Sequence, residues 1–90
     1  MASKLYSRIS VIPSELQHDI DATKSMKQRT VYVKQGWRDG MIHRAKIALR
    51  RMRDVASAFP EGSAVHTRYT VDEVLLRRDM EALYGKYWDA

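Results

Sequence analysis

Apolar residues recur at steps of three and four along much of the chain, and that rhythm predicts helices. From Val33 the series runs through Trp37, Met41, Ala45, Ala48, Met52, Val55 and Phe59, with Ile42, Leu49 and Ala56 widening the stripe. Such spacing keeps one face of an α-helix apolar. Pro60 and Gly62 close the run, because proline cannot continue the hydrogen-bond ladder and glycine suits the turn that follows. We therefore expect the main helix over residues 31–59. Gly36 and Gly40 lie inside it at a cost of about 1 kcal/mol each against alanine. Their spacing of four places them beside Trp37 on neighbouring turns, where they leave room for a close-packed neighbour.

Two further helices flank it. Ser14 with Gln17 has the spacing of a capping box, and Leu16 and Ile20 supply one apolar edge, so a helix is expected over 14–27. The β-branched run Thr30-Val31-Tyr32-Val33 disfavours a single rod from 14 to 59 and puts a break near residues 27–30. Thr70 with Glu73 forms a second capping box, and Tyr69 with Val74 has staple spacing, which predicts a helix over 71–88. Its buried stripe would be Leu76, Met80, Leu83, Tyr84 and Tyr87, with Glu73, Arg77 and Glu81 as a charge ladder on another face. Residues 62–69 read as a loop with a short extended piece at 65–69. Leu5, Ile9 and Val11 alternate with polar residues, which suits a short strand or extended arm over 1–12. The expected fold is mainly α, a single three-helix domain of 90 residues.

Composition adds constraints. A chain of this length buries a thin core, and with no cysteine neither a disulfide nor a thiolate metal site reinforces it. The longest apolar runs, such as Val74-Leu75-Leu76, are far short of a membrane span. These features predict a soluble cytoplasmic protein, with homo-oligomerisation open.

Charge changes the picture most. Residues 24–53 hold ten Lys and Arg against one acid, Asp39, so that stretch carries +9 of a chain whose net charge is +5. On a helical wheel His43, Arg44, Lys46, Arg50, Arg51 and Arg53 share the polar face of the main helix, and Lys24, Lys27 and Arg29 supplement them from upstream. Closely spaced Lys and Arg neutralise phosphates and release counterions, so nucleic acid, or an assembly containing it, is the first expected partner. Ile47 falls in the middle of this face, where core packing cannot use it. Trp88 stands near the C-terminus and either caps the core or anchors a protein interface.

Catalysis has little sequence support. His18, His43 and His66 are scattered without metal-ligand spacing, and Asp39 with His43 is as consistent with a surface pair as with an oriented base. No nucleophile or phosphate loop is placed, and no cofactor is expected. The run Gln35-Gly36-Trp37-Arg38-Asp39-Gly40-Met41 through Lys46 resembles, over about a dozen residues, the glycine-aromatic-x-x-glycine stretch of ribosome modulation factors. The Cys-Pro-Tyr continuation of that family is absent, where Ile47 to Met52 extend the helix, so no membership is assigned. Besides nucleic acid, two readings stay open. One is a stoichiometric inhibitor or adaptor, of the kind found among bacterial and phage accessory proteins, docking its basic face on an acidic or nucleic-acid-binding protein surface. The other is an oligomeric assembly protein.

Overall fold

A computed structural model of the chain describes residues 10–26 and 31–88, the side chains of the second stretch from residue 35 onward. Among the described residues are three helices and no strand: α1 (Ser14–Ser25), α2 (Val31–Ser57) and α3 (Ala64–Trp88). The mainly α, three-helix architecture is thus as the apolar rhythm requires. The extended arm over 1–12 lies mostly outside the described residues, as do Lys27 and Arg29 and the side chain of Val33.

The core forms where α1 and α3 close on the apolar stripe of α2. Ile20, Met41, Leu76 and Met80 are fully buried, joined by Leu16, Ala45, Leu49 and Met52. Full burial of such aliphatic side chains stabilises by roughly 1.5–3 kcal/mol each. The alanines at 45 and 48 let the neighbouring helices approach α2 closely. Polar groups stitch the margins: Trp37 Nε1 donates to Thr23 Oγ1, and Thr23 Oγ1 donates to the carbonyl of Asp19 at 2.7 Å. Phe59, expected on the core stripe, is exposed, because α2 stops at Ser57 and the chain turns away through Ala58 and Phe59 amides that bond three residues back.

Both expected capping boxes are absent. Pro13 is the N-cap of α1, so Ser14 is already helical and its side chain caps nothing. Gln17 reaches forward to Asp21 Oδ1 at 3.1 Å instead of back. The third helix starts at Ala64, seven residues ahead of the expected 71, and residues 64–69 are helical where a loop was expected. The cap is Ser63, whose Oγ accepts the amide of His66 at 3.2 Å. Serine at an N-cap satisfies an otherwise orphaned amide of the first turn. His66 then fixes that turn to the end of α2 by a bond from Nδ1 to the carbonyl of Ala56 at 2.9 Å. A carbonyl only accepts, so the proton sits on Nδ1. Thr70, inside the helix, donates to His66 O at 2.8 Å. These tertiary and capping bonds outweigh the β-branched character of Val65 and Thr67.

Near its end α3 breaks at Tyr84 and Gly85, whose backbone angles are not helical. The redirected last turn carries Trp88 into the core at 5% exposure, while Tyr87 turns outward at 45%. Trp88 therefore caps the chain's own core, and Tyr87 leaves the buried stripe predicted for it. At the other end of the fold, Asp72 is buried and clamps the chain entering α1: its Oδ2 accepts the Val11 amide at 2.8 Å and the Ser10 hydroxyl at 3.4 Å. Among the described residues no close neighbour stands at Gly36 or Gly40. A Cβ at either position would meet nothing within 4 Å.

Candidate functional site

Consecutive residues of a helix are turned about 100° from one another, so the basic residues of α2 divide between two flanks once the neighbours are in place. Lys46, Arg50 and Arg53 rise on the flank facing the end of α3. Arg44 and Arg51 rise on the flank facing the N-terminal segment and α1. Between them runs a crest carrying His43, Ile47 and Asp54, all exposed. A wheel drawn for an isolated helix shows one basic face; the packed helix presents two.

On the first flank, Lys46, Arg50 and Arg53 of α2 and Arg77 of α3 line an open groove of about 410 Å³ floored by Leu49 and Trp88. Lys46 Nζ stands over the Trp88 ring at 5.7 Å from its centroid. Two acids temper the cations. Asp54 is on the rim, and Glu73 stands behind, its Oε2 accepting from Arg53 Nη2 at 2.8 Å and from Arg77 Nε at 3.4 Å. The hydrogen bond from Arg53 holds the Glu73 carboxyl below its ordinary range against the opposing pull of burial. The same bond holds the Arg53 guanidinium more firmly protonated. Arg50 has no ion-pair partner among the described residues and is exposed.

Past Lys46 the groove continues into a second depression lined by Arg38, Ile42, His43 and Tyr87. Arg38 lies over the Tyr87 ring at 3.9 Å from its centroid and Lys86 at 5.4 Å, so a third helical turn adds cations held by an aromatic face. Asp39, considered as an orienting partner of His43, bonds to Arg38 Nε at 3.3 Å instead. No three His, Asp or Glu side chains converge in metal-binding geometry among the described residues. No described helix is long and apolar enough to cross a membrane.

No protein family matches this chain, and no curated protein or solved structure does either. Its function must be read from geometry.

The second flank is different in kind. Arg44 Nη1 bonds Asp19 Oδ2 of α1 at 2.6 Å, which fixes it as a helix-to-helix tie. Ile47, 42% exposed, and Arg51 border an apolar groove of about 340 Å³ lined by Val11, Leu16, Met52, Val55 and Tyr69. Lys24, expected to extend the basic surface, reaches Asp79 of α3 at 3.3 Å. Of the basic residues picked out in the sequence, then, Lys46, Arg50 and Arg53 gather with His43 nearby, whereas Arg44, Arg51 and Lys24 do not join them. Arg77 was missed, and Arg38 was counted in the basic stretch without being singled out. The ladder spacing of Glu73 and Arg77 was visible, but which helix that ladder faces is set only by packing.

Proposed function

We propose that the chain is a small non-catalytic module that binds a nucleic-acid strand, or an assembly containing one, in the groove between α2 and the end of α3. The observation that carries this reading is the convergence of Lys46, Arg50, Arg53 and Arg77 on one open groove from two helices. From His43 to Arg53 the α2 row spans about 15 Å at 1.5 Å per residue. That length follows a few successive phosphates, and the guanidinium groups suit their oxygens with paired hydrogen bonds. Trp88 is buried and Arg38 already lies on the face of Tyr87, so stacking of bases contributes little and the binding is electrostatic, without readout of base sequence.

Fluorescence anisotropy with labelled single-stranded RNA and duplex DNA tests the proposal. With about four phosphate contacts, log affinity should fall against log salt with a slope of roughly −3 to −4. Replacing Lys46 and Arg50 together by Glu should remove most of the binding, and Arg51→Glu on the other flank should change it far less. Absence of salt-sensitive binding at about 50 mM salt would overturn the reading.

A second reading is favoured by one observation, the apolar groove beside Ile47 and Arg51. It supports an adaptor or inhibitor that seats a side chain of a partner protein there. Ile47→Asp would damage that contact and leave nucleic-acid binding intact.

A further inference from the structure

The outward face of α3 takes part in neither groove. Val71, Val74 and Leu75 are 49%, 48% and 44% exposed on the side turned away from the buried Leu76 and Met80. Steps of three and four connect Arg68, Val71, Leu75, Arg78 and Ala82. Such steps keep these side chains in one row along the helix, and a row of this kind can receive a second helix laid alongside. The break at Tyr84 and Gly85 comes only after this stretch, so the seam lies on uninterrupted helix. Its centre is aliphatic and each side of the centre is an arginine. Arg68 and Arg78 are exposed, and neither has an ion-pair partner among the described residues.

The geometry points to this seam as the docking site of an acidic amphipathic helix from another protein. The two arginines decide the occupant. If two copies of the chain paired along it in parallel register, Arg68 would face Arg68 and Arg78 would face Arg78. In antiparallel pairing centred between Val71 and Leu75, Arg68 would face Arg78. Like charges opposed across a helix pair destabilise it, so the seam disfavours its own copy. A nucleic-acid strand would have to lie on an aliphatic centre with no aromatic side chain to stack on. A helix with carboxylates against both arginines satisfies all of these features. The arginines are ten residues apart, about 15 Å along the axis, and a partner helix with two acids ten residues apart matches them. Between those acids it needs two apolar residues, giving the order acid, apolar, apolar, acid at steps of three, four and three. That order reads the same in both directions, so either helix orientation fits.

The test uses the full chain and a synthetic helical peptide with that pattern, Glu at its two outer positions and Leu at its two inner ones. A second peptide carries Lys in place of both Glu. Anisotropy should show the Glu peptide binding and the Lys peptide at least about tenfold weaker, as loss of two charge pairs and gain of two repulsions implies. Leu75→Asp should abolish binding of both. The double variant Arg68→Glu, Arg78→Glu should reverse the preference in favour of the Lys peptide, a gained activity that misfolding cannot imitate. No binding of the Glu peptide, equal binding of the two peptides, or a double variant without reversed preference would overturn the assignment. So would a dimer in solution that Leu75→Asp splits into monomers, which would mean that a second copy covers the seam. Lys46→Glu with Arg50→Glu, which removes the cations of the α2 groove, leaves the peptide titration unchanged, so the two proposals fail separately.

Discussion

Glu73 shows how much one side chain's role depends on its partners. Its spacing suggested first a helix cap and then a rung in a surface ladder with Arg77. In the folded chain its carboxylate is shared by Arg53 of α2 and Arg77 of its own helix. Because these bonds lower its proton affinity in the folded state, the stability they give is present above the ordinary carboxyl value of 4.5 and is lost as pH falls through the lower folded value. Thermal melts at descending pH should therefore lose stability below about pH 4.5, and Glu73→Gln should flatten that part of the profile. An unchanged profile in the variant would remove Glu73 as the group responsible. Leu76 lies at the other extreme, fully buried among Met41, Met80 and their neighbours. Leu76→Ala should cost about 2–5 kcal/mol by lost transfer energy and the cavity left behind. In so small a core that approaches the whole stability of the fold, and chemical denaturation would register it directly.

At the scale of the element, α2 is a rod of about 40 Å whose two glycines meet no close neighbour among the described residues. Gly40 is exposed, and a methyl group there meets nothing within 4 Å. Gly40→Ala should thus raise stability by roughly 0.5–1 kcal/mol, since alanine loses less backbone freedom on becoming helical. A fall in melting temperature would mean that a neighbour does approach this turn. The position of α3 illustrates the opposite lesson. Local signals marked Thr70 as its start, yet Ser63 is the cap, because a serine hydroxyl acts about two turns earlier and the tie from His66 to Ala56 about one turn earlier. Two good capping spacings occurred in the sequence, at Ser14 and Thr70, and neither is used. A capping box has only four positions, so the right residues meet by chance often enough that tertiary contacts must arbitrate.

For the molecule as a whole, α2 and α3 form the main packed pair, and α1 is a short helix laid against them. A helix of twelve residues is marginal alone, and α1 depends on Leu16, Ile20 and the ties from Arg44 and Lys24. Native-state hydrogen exchange should therefore find α1 amides opening at lower free energy than those of Met41 to Met52 in α2. Equal protection of both would show that the three helices open only together.

The apolar rhythm of α2 by itself determined the helical class, the buried identities of Met41, Ala45, Leu49 and Met52, and the presence of a dense basic segment. Those features depend on periodicity within one helix, which sequence spacing records directly. Where the charges point was decided only by the tertiary structure. Arg50 and Arg51 are adjacent in sequence and about 100° apart on the helix, so they face different grooves once α1 and α3 are docked. Likewise the break at Gly85 turns Trp88 inward and Tyr87 outward, and the acids at 19, 73 and 79 select Arg44, Arg53 and Lys24 as ties. Each of these outcomes depends on the angle between helices, and that angle comes from the fit of their buried side chains.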